Sequence, residues 1–124
     1  MNFQEIVKAN EAIRKEMDRP VNHNVPDQIV EKLNKLSNIL GLSSQCIADS
    51  EVLYSKKIEE LIQDRQYSKM TATDKKLLFN SLASEEMKVM NYSAQLNKDL
   101  HYCVESCRSM LSYLKSEMQA SIAG

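Results

Sequence analysis

The chain has 124 residues, 43% hydrophobic and 27% charged, with two Gly, two Pro, no Trp and a formal net charge of −1. That is one domain of ordinary globular composition, and a balance so near neutral excludes a global electrostatic drive onto nucleic acid or an anionic membrane. With few breakers and much Leu, Lys, Glu, Ser and Met, the sequence predicts an all-α fold rather than a turn-rich sandwich or barrel.

Residues 3–17 set Phe3, Ile6, Val7, Ile13 and Met17 among charges, which predicts a short amphipathic helix docked as an arm and ending by Arg19, before Pro20. Residues 20–26, flanked by Pro20 and Pro26 and rich in turn formers, form a linker. Pro26 suits the first turn of a second helix over 27–64, and Asp27 complements the positive end of its dipole. The seam of that helix runs Ile29, Leu33, Leu36, Leu40, Ser43, Ile47, Ser50, Tyr54, in alternating steps of four and three. Gly41 interrupts it, where a bend or a close helix crossing is expected.

Periodicity is lost over residues 65–73, a basic polar tip, and Thr71 with Asp74 forms a capping signal for the next helix. That last helix is expected over 74–119, with a second possible start near residue 84. Its seam of Leu82, Val89, Leu96, Leu100, Cys103, Cys107, Met110 and Leu114 is the longest apolar stripe in the chain. The two long helices predict an antiparallel hairpin whose seam is completed by the first helix, by self-association, or by both. A homo-oligomer with the last seam as its interface is the expectation.

Three cysteines, Cys46, Cys103 and Cys107, form no CxxC pair and fit a reducing compartment. Met1-Asn-Phe-Gln-Glu5 lacks the basic stretch and long apolar run of a signal peptide, and a cytoplasmic protein that neither enters nor crosses a membrane is expected. His101 lies about 200° around a helix from Cys103, so a metal set does not assemble there, and Cys103 and Cys107 suit small core positions. With two glycines the chain has no GxSxG or GxxxxGK[ST] loop, and Glu59-Glu60 and Glu85-Glu86 each diverge by about 100°. The sequence therefore predicts no enzyme, no metal and no cofactor.

One local feature carries functional content. Lys56 and Lys57 precede the tip, and Arg65, Tyr67, Lys69, Lys75 and Lys76 compose it. Basic side chains track a phosphate backbone and an interleaved tyrosine stacks on an unpaired base, which is the make-up of a single-stranded nucleic-acid site. A weak patch of this kind strengthens when an oligomer repeats it.

The layout of Ala48-Asp-Ser-Glu-Val-Leu-Tyr54-Ser-Lys, a basic tip, Leu82-Ala-Ser-Glu-Glu-Met-Lys-Val-Met and Ser109-Met-Leu-Ser-Tyr-Leu-Lys-Ser-Glu-Met118 resembles the UvsY-type recombination mediators of tailed phages. The resemblance covers about residues 29–119. Its most suggestive pieces are Leu53-Tyr54-Ser55-Lys56 and the Ser-x-x-Ser-x-Leu-Lys-x-Glu pattern at 109–117. It implies an oligomer that binds single-stranded DNA and helps load a recombinase. Lys56, Lys57, Arg65, Lys69, Lys75 and Lys76 would then contact phosphates, and Tyr67 would stack. The alternative is a helical adaptor or virion component that docks a protein and no DNA.

Overall fold

A computed structural model describes residues 1–123, and among them the protein is all-α: α1 (Phe3–Met17), α2 (Pro26–Asn38), α3 (Leu40–Gln63), α4 (Ala72–Leu82) and α5 (Ser84–Ala123), with one 3-10 turn at Arg65–Tyr67. No helix among the described residues is long and apolar enough to cross a membrane.

Helix α1 begins in a capping box. Asn2 Oδ1 accepts from the Glu5 N–H at 2.8 Å while Glu5 Oε1 accepts from the Asn2 N–H at 3.0 Å, so two otherwise orphaned donors are satisfied. Ile6, Asn10, Ile13 and Met17, at steps of four, three and four, form its buried face. At its other end the Lys32 ammonium, reaching over from α2, donates to the carbonyls of Met17 at 2.8 Å and Arg19 at 2.9 Å. A cation on those acceptors completes hydrogen bonds the helix cannot make itself and opposes its negative end.

The helix expected over residues 27–64 is divided in two. The discontinuity lies at Ile39 (φ −98°, ψ 0°), two residues before Gly41, where the Ile39 N–H bonds back to Leu36 at 3.3 Å and its carbonyl starts the next helix by accepting from Ser43 at 3.0 Å. Gly41 has no positive φ, and a Cβ there would meet nothing within 4 Å, so it accounts for neither a close crossing nor the break. The last helix is divided likewise at Ala83 (φ −102°, ψ 18°), which is fully buried. The Thr71 hydroxyl caps α4 by accepting from the Asp74 N–H at 3.2 Å.

Side-chain contacts give the helix directions. Asn24 and Pro26 lie beside Leu114 and Glu117, and the Asn97 amide donates to Ser43 Oγ at 3.0 Å. Rising numbers on α2 and α3 thus meet falling numbers on α5, and those helices run antiparallel. For α1 the order is the same as for α5: Asn10 bonds Ser93 at 2.9 Å and Arg14 sits 3.8 Å from Asp99. Helix α1 therefore runs parallel to α5 and also packs on α3, with the Met1 ammonium 2.6 Å from Asp49.

Ile6, Ile13, Met17, Ile29, Leu36, Cys46, Leu96, Leu100, Val104 and Cys107 form one buried core shared by α1, α2, α3 and α5. Burying side chains of this kind stabilises by roughly 1.5–3 kcal/mol each before the entropy of ordering them is counted. Along the last seam Leu96, Leu100 and Cys107 are in that core, and Val89, Cys103, Met110 and Leu114 pack against it half-buried. The seam is thus covered by helices of its own chain. Leu82 departs from the pattern: it belongs to α4, the break at Ala83 shifts its phase, and it is 41% exposed.

Candidate nucleic-acid interface

At the far end of the α3–α5 pair the chain reverses through the 3-10 turn and α4. Asp64 starts the turn by accepting from the Gln66 N–H at 3.0 Å through one carboxylate oxygen and from Gln66 Nε2 at 3.0 Å through the other. The Ser68 hydroxyl closes it on the Arg65 carbonyl at 2.8 Å. Leu61, Phe79 and Ala83 are buried here, outside the main core, and the Tyr67 ring meets Phe79 edge to face, with centroids 5.5 Å apart and planes at 76°. Such T-shaped pairs contribute about 0.5–1.5 kcal/mol beyond area burial. A small second core therefore holds the tip.

This gives Tyr67 a structural role. Its ring is half-buried and packs edge to face with Phe79, so it fastens the turn and offers a base less open surface than a fully exposed ring. Phe79 is twelve residues further along the chain, and nothing in the local pattern marks the two as partners. Lys57 also differs from its neighbours: lying between Leu53 and Leu61 at helical steps of four, it is half-buried with its stem along the inner face of α3.

Four of the remaining five cations face solvent more freely. Lys56, Arg65, Lys69 and Lys76 are exposed and Lys75 is half-buried. Among the described residues none of these, nor Lys57, has a carboxylate within ion-pair distance. The Asp64 carboxylate is occupied by Gln66, and Asp74 sits in the first turn of α4, where the helix dipole favours an anion. Residues 56–76 hold these six cations against Glu59, Glu60, Asp64 and Asp74, which leaves a small positive excess at this end of the molecule.

Elsewhere Glu16, Arg19, Glu31, Lys32 and Lys35 gather around one open cleft, largely as ion pairs, and no metal-ligand set forms among the described residues. His101 is exposed, Cys103 half-buried and Cys107 buried, and no cluster of three His, Cys, Asp or Glu able to hold a metal occurs among the described residues. Burial pushes the Cys46 and Cys107 thiols above their ordinary range, so both are held as protonated core groups. The Tyr113 phenol is raised by its 2.8 Å hydrogen bond to Glu117 and by that carboxylate's charge. His23, which carried no expectation, lines an open cleft with Ser109, Met110 and Tyr113 between the linker and α5.

No family model, no curated protein and no solved structure matches the chain.

Proposed function

We propose that this chain is a non-enzymatic accessory protein of phage DNA recombination that binds single-stranded DNA through its tip and helps a recombinase assemble on the strand. On this reading it acts in the cytoplasm of the host cell. The observation that carries the proposal is the set of cations at residues 56–76 with no ion pair among the described residues, presented at one end of a helical bundle. Cations already matched by carboxylates would have to break those pairs to reach a phosphate. These do not.

Self-association belongs to the same proposal, and the surface supports it. The chain exposes 8508 Å² for a mass of 14.2 kDa. A compact monomer of that mass exposes about 6,800 Å². The surplus, about 1,700 Å², is twice what one partner contributes to a standard interface, about 800 Å². Repeating a tip of small net charge around an oligomer multiplies the phosphates neutralised on one strand.

The test is fluorescence anisotropy of a labelled single-stranded oligonucleotide at low and moderate salt, with the duplex as control. Salt-sensitive binding that prefers the single strand is expected. Reversing Lys69→Glu, Lys75→Glu and Lys76→Glu together should abolish it while circular dichroism and oligomer mass stay unchanged; binding that survives the reversal refutes the tip as the site. A protein-docking adaptor is the second reading. It is favoured by Ile62 and Leu77, 64% and 67% exposed on the helices that flank the tip. No binding at low salt would select it.

A further inference from the structure

With Tyr67 half-buried against Phe79, the most exposed tyrosine rings lie elsewhere. Tyr92 is 48% and Tyr102 79% exposed, both on α5. Each follows a lysine by one helical turn: Lys88-Val-Met-Asn-Tyr92 and Lys98-Asp-Leu-His-Tyr102. Residues four apart share a helix face, so each unit presents an ammonium and a phenol ring side by side. Both lysines are exposed, and neither has an ion-pair partner among the described residues. Of the carboxylates near them, Asp99 is bonded by Gln95 Nε2 at 3.0 Å and lies 3.8 Å from the Arg14 guanidinium, and Glu105, one turn past Tyr102, is paired with Arg108 at 2.7 Å.

The first unit also lines a cleft. Lys88, Val89 and Tyr92 of α5 face Val7, Asn10 and Glu11 of α1 across a space of about 390 Å³. Its walls are largely apolar, and the Asn10 amide is already spent on Ser93. The Glu11 carboxylate disfavours a phosphate inside this space but not a flat uncharged base, while Lys88 at the rim is placed for the phosphate. The second unit lies ten residues on, about 15 Å along the helix axis and about 80° around it. The axial distance alone spans about four nucleotides at the 3.4 Å rise of a stacked strand.

We propose that α5 carries a base-stacking track for single-stranded DNA, with one station in the cleft against α1 and the other further along the helix. Tyr92 and Tyr102 receive bases and Lys88 and Lys98 contact the intervening phosphates. The proposal rests on the single-strand reading above and extends it from the tip along the bundle. Charge alone would bind any polyanion, and interleaved aromatic rings confer preference for a strand whose bases are unpaired.

The experiment titrates the full chain and its variants with labelled oligo-dT, following both anisotropy and the protein's own emission. With no Trp and five Tyr, that emission is tyrosine fluorescence and is quenched by stacking. Tyr92→Ser and Tyr102→Ser should each weaken binding about 5- to 100-fold and reduce the quench, whereas Tyr92→Phe and Tyr102→Phe should retain affinity because stacking needs the ring and not the hydroxyl. Serine variants that bind within twofold of the unaltered chain, while the lysine reversal at the tip removes binding, would overturn the track and leave the tip reading standing. An unaltered chain that binds no oligo-dT at low salt would overturn both.

Discussion

The hydrogen bond from Asn10 to Ser93 is the most direct test of how α1 is seated. Both side chains are at most 3% exposed, their atoms are 2.9 Å apart, and 83 residues of chain separate them, so the contact exists only if α1 lies against α5 in this register. Ser93→Ala removes the acceptor and leaves a buried amide donor without a partner, a loss of about 1–3 kcal/mol. Asn10→Ala removes the donor and opens a cavity, but the Ser93 hydroxyl can turn back to a carbonyl of its own helix. The double variant escapes the unpaired-donor penalty, so the two effects should be non-additive by about 1–2 kcal/mol. Urea unfolding at one fixed protein concentration reads this directly. With a slope of about 1–3 kcal/mol per molar, Ser93→Ala should shift the midpoint by roughly 1 M. Effects that add to within about 0.4 kcal/mol would mean that Asn10 and Ser93 do not touch, and that α1 docks elsewhere.

The divided seam predicts unequal costs along its length: Leu100→Ala, at a fully buried site, should destabilise by about 2–5 kcal/mol, and Leu82→Ala by less than about 1 kcal/mol. Equal losses in urea unfolding would show that Leu82 is buried in an interface between chains. Gly41→Ala, where the added methyl meets open space at an unstrained φ, should raise stability by about 0.5–1 kcal/mol; a lowered urea midpoint would show that the glycine is needed for the bend. Alkylation of the folded protein near pH 8, read by peptide mass, should modify half-buried Cys103 first. Cys46 and Cys107 should react only on unfolding, because burial both shields them and lowers their thiolate fraction at that pH. Labelling of Cys107 as fast as Cys103 would refute that placement.

Much of the helical frame is local and was legible from residue order alone. The all-α class follows from composition. Pro26 and the Thr71–Asp74 cap mark helix starts because capping and backbone restriction act within one turn. The 3.6-residue period brings Leu96, Leu100 and Cys107 onto one face whatever packs against them. That the other helices of the chain could cover that face was legible as one alternative, but their register was not. Helices α1, α2 and α3 do so through pairs such as Asn10–Ser93 and Ser43–Asn97, whose members are 83 and 54 residues apart, and no local pattern encodes such a match. The break falls at Ile39 rather than at the conspicuous Gly41, because a helix bends where its packing partners require and a glycine only lowers the resistance. Tyr67 shows the same division. Its place among the tip lysines suggests a stacking ring, but tertiary structure brings Phe79 against it, and the most exposed tyrosine rings are those of α5.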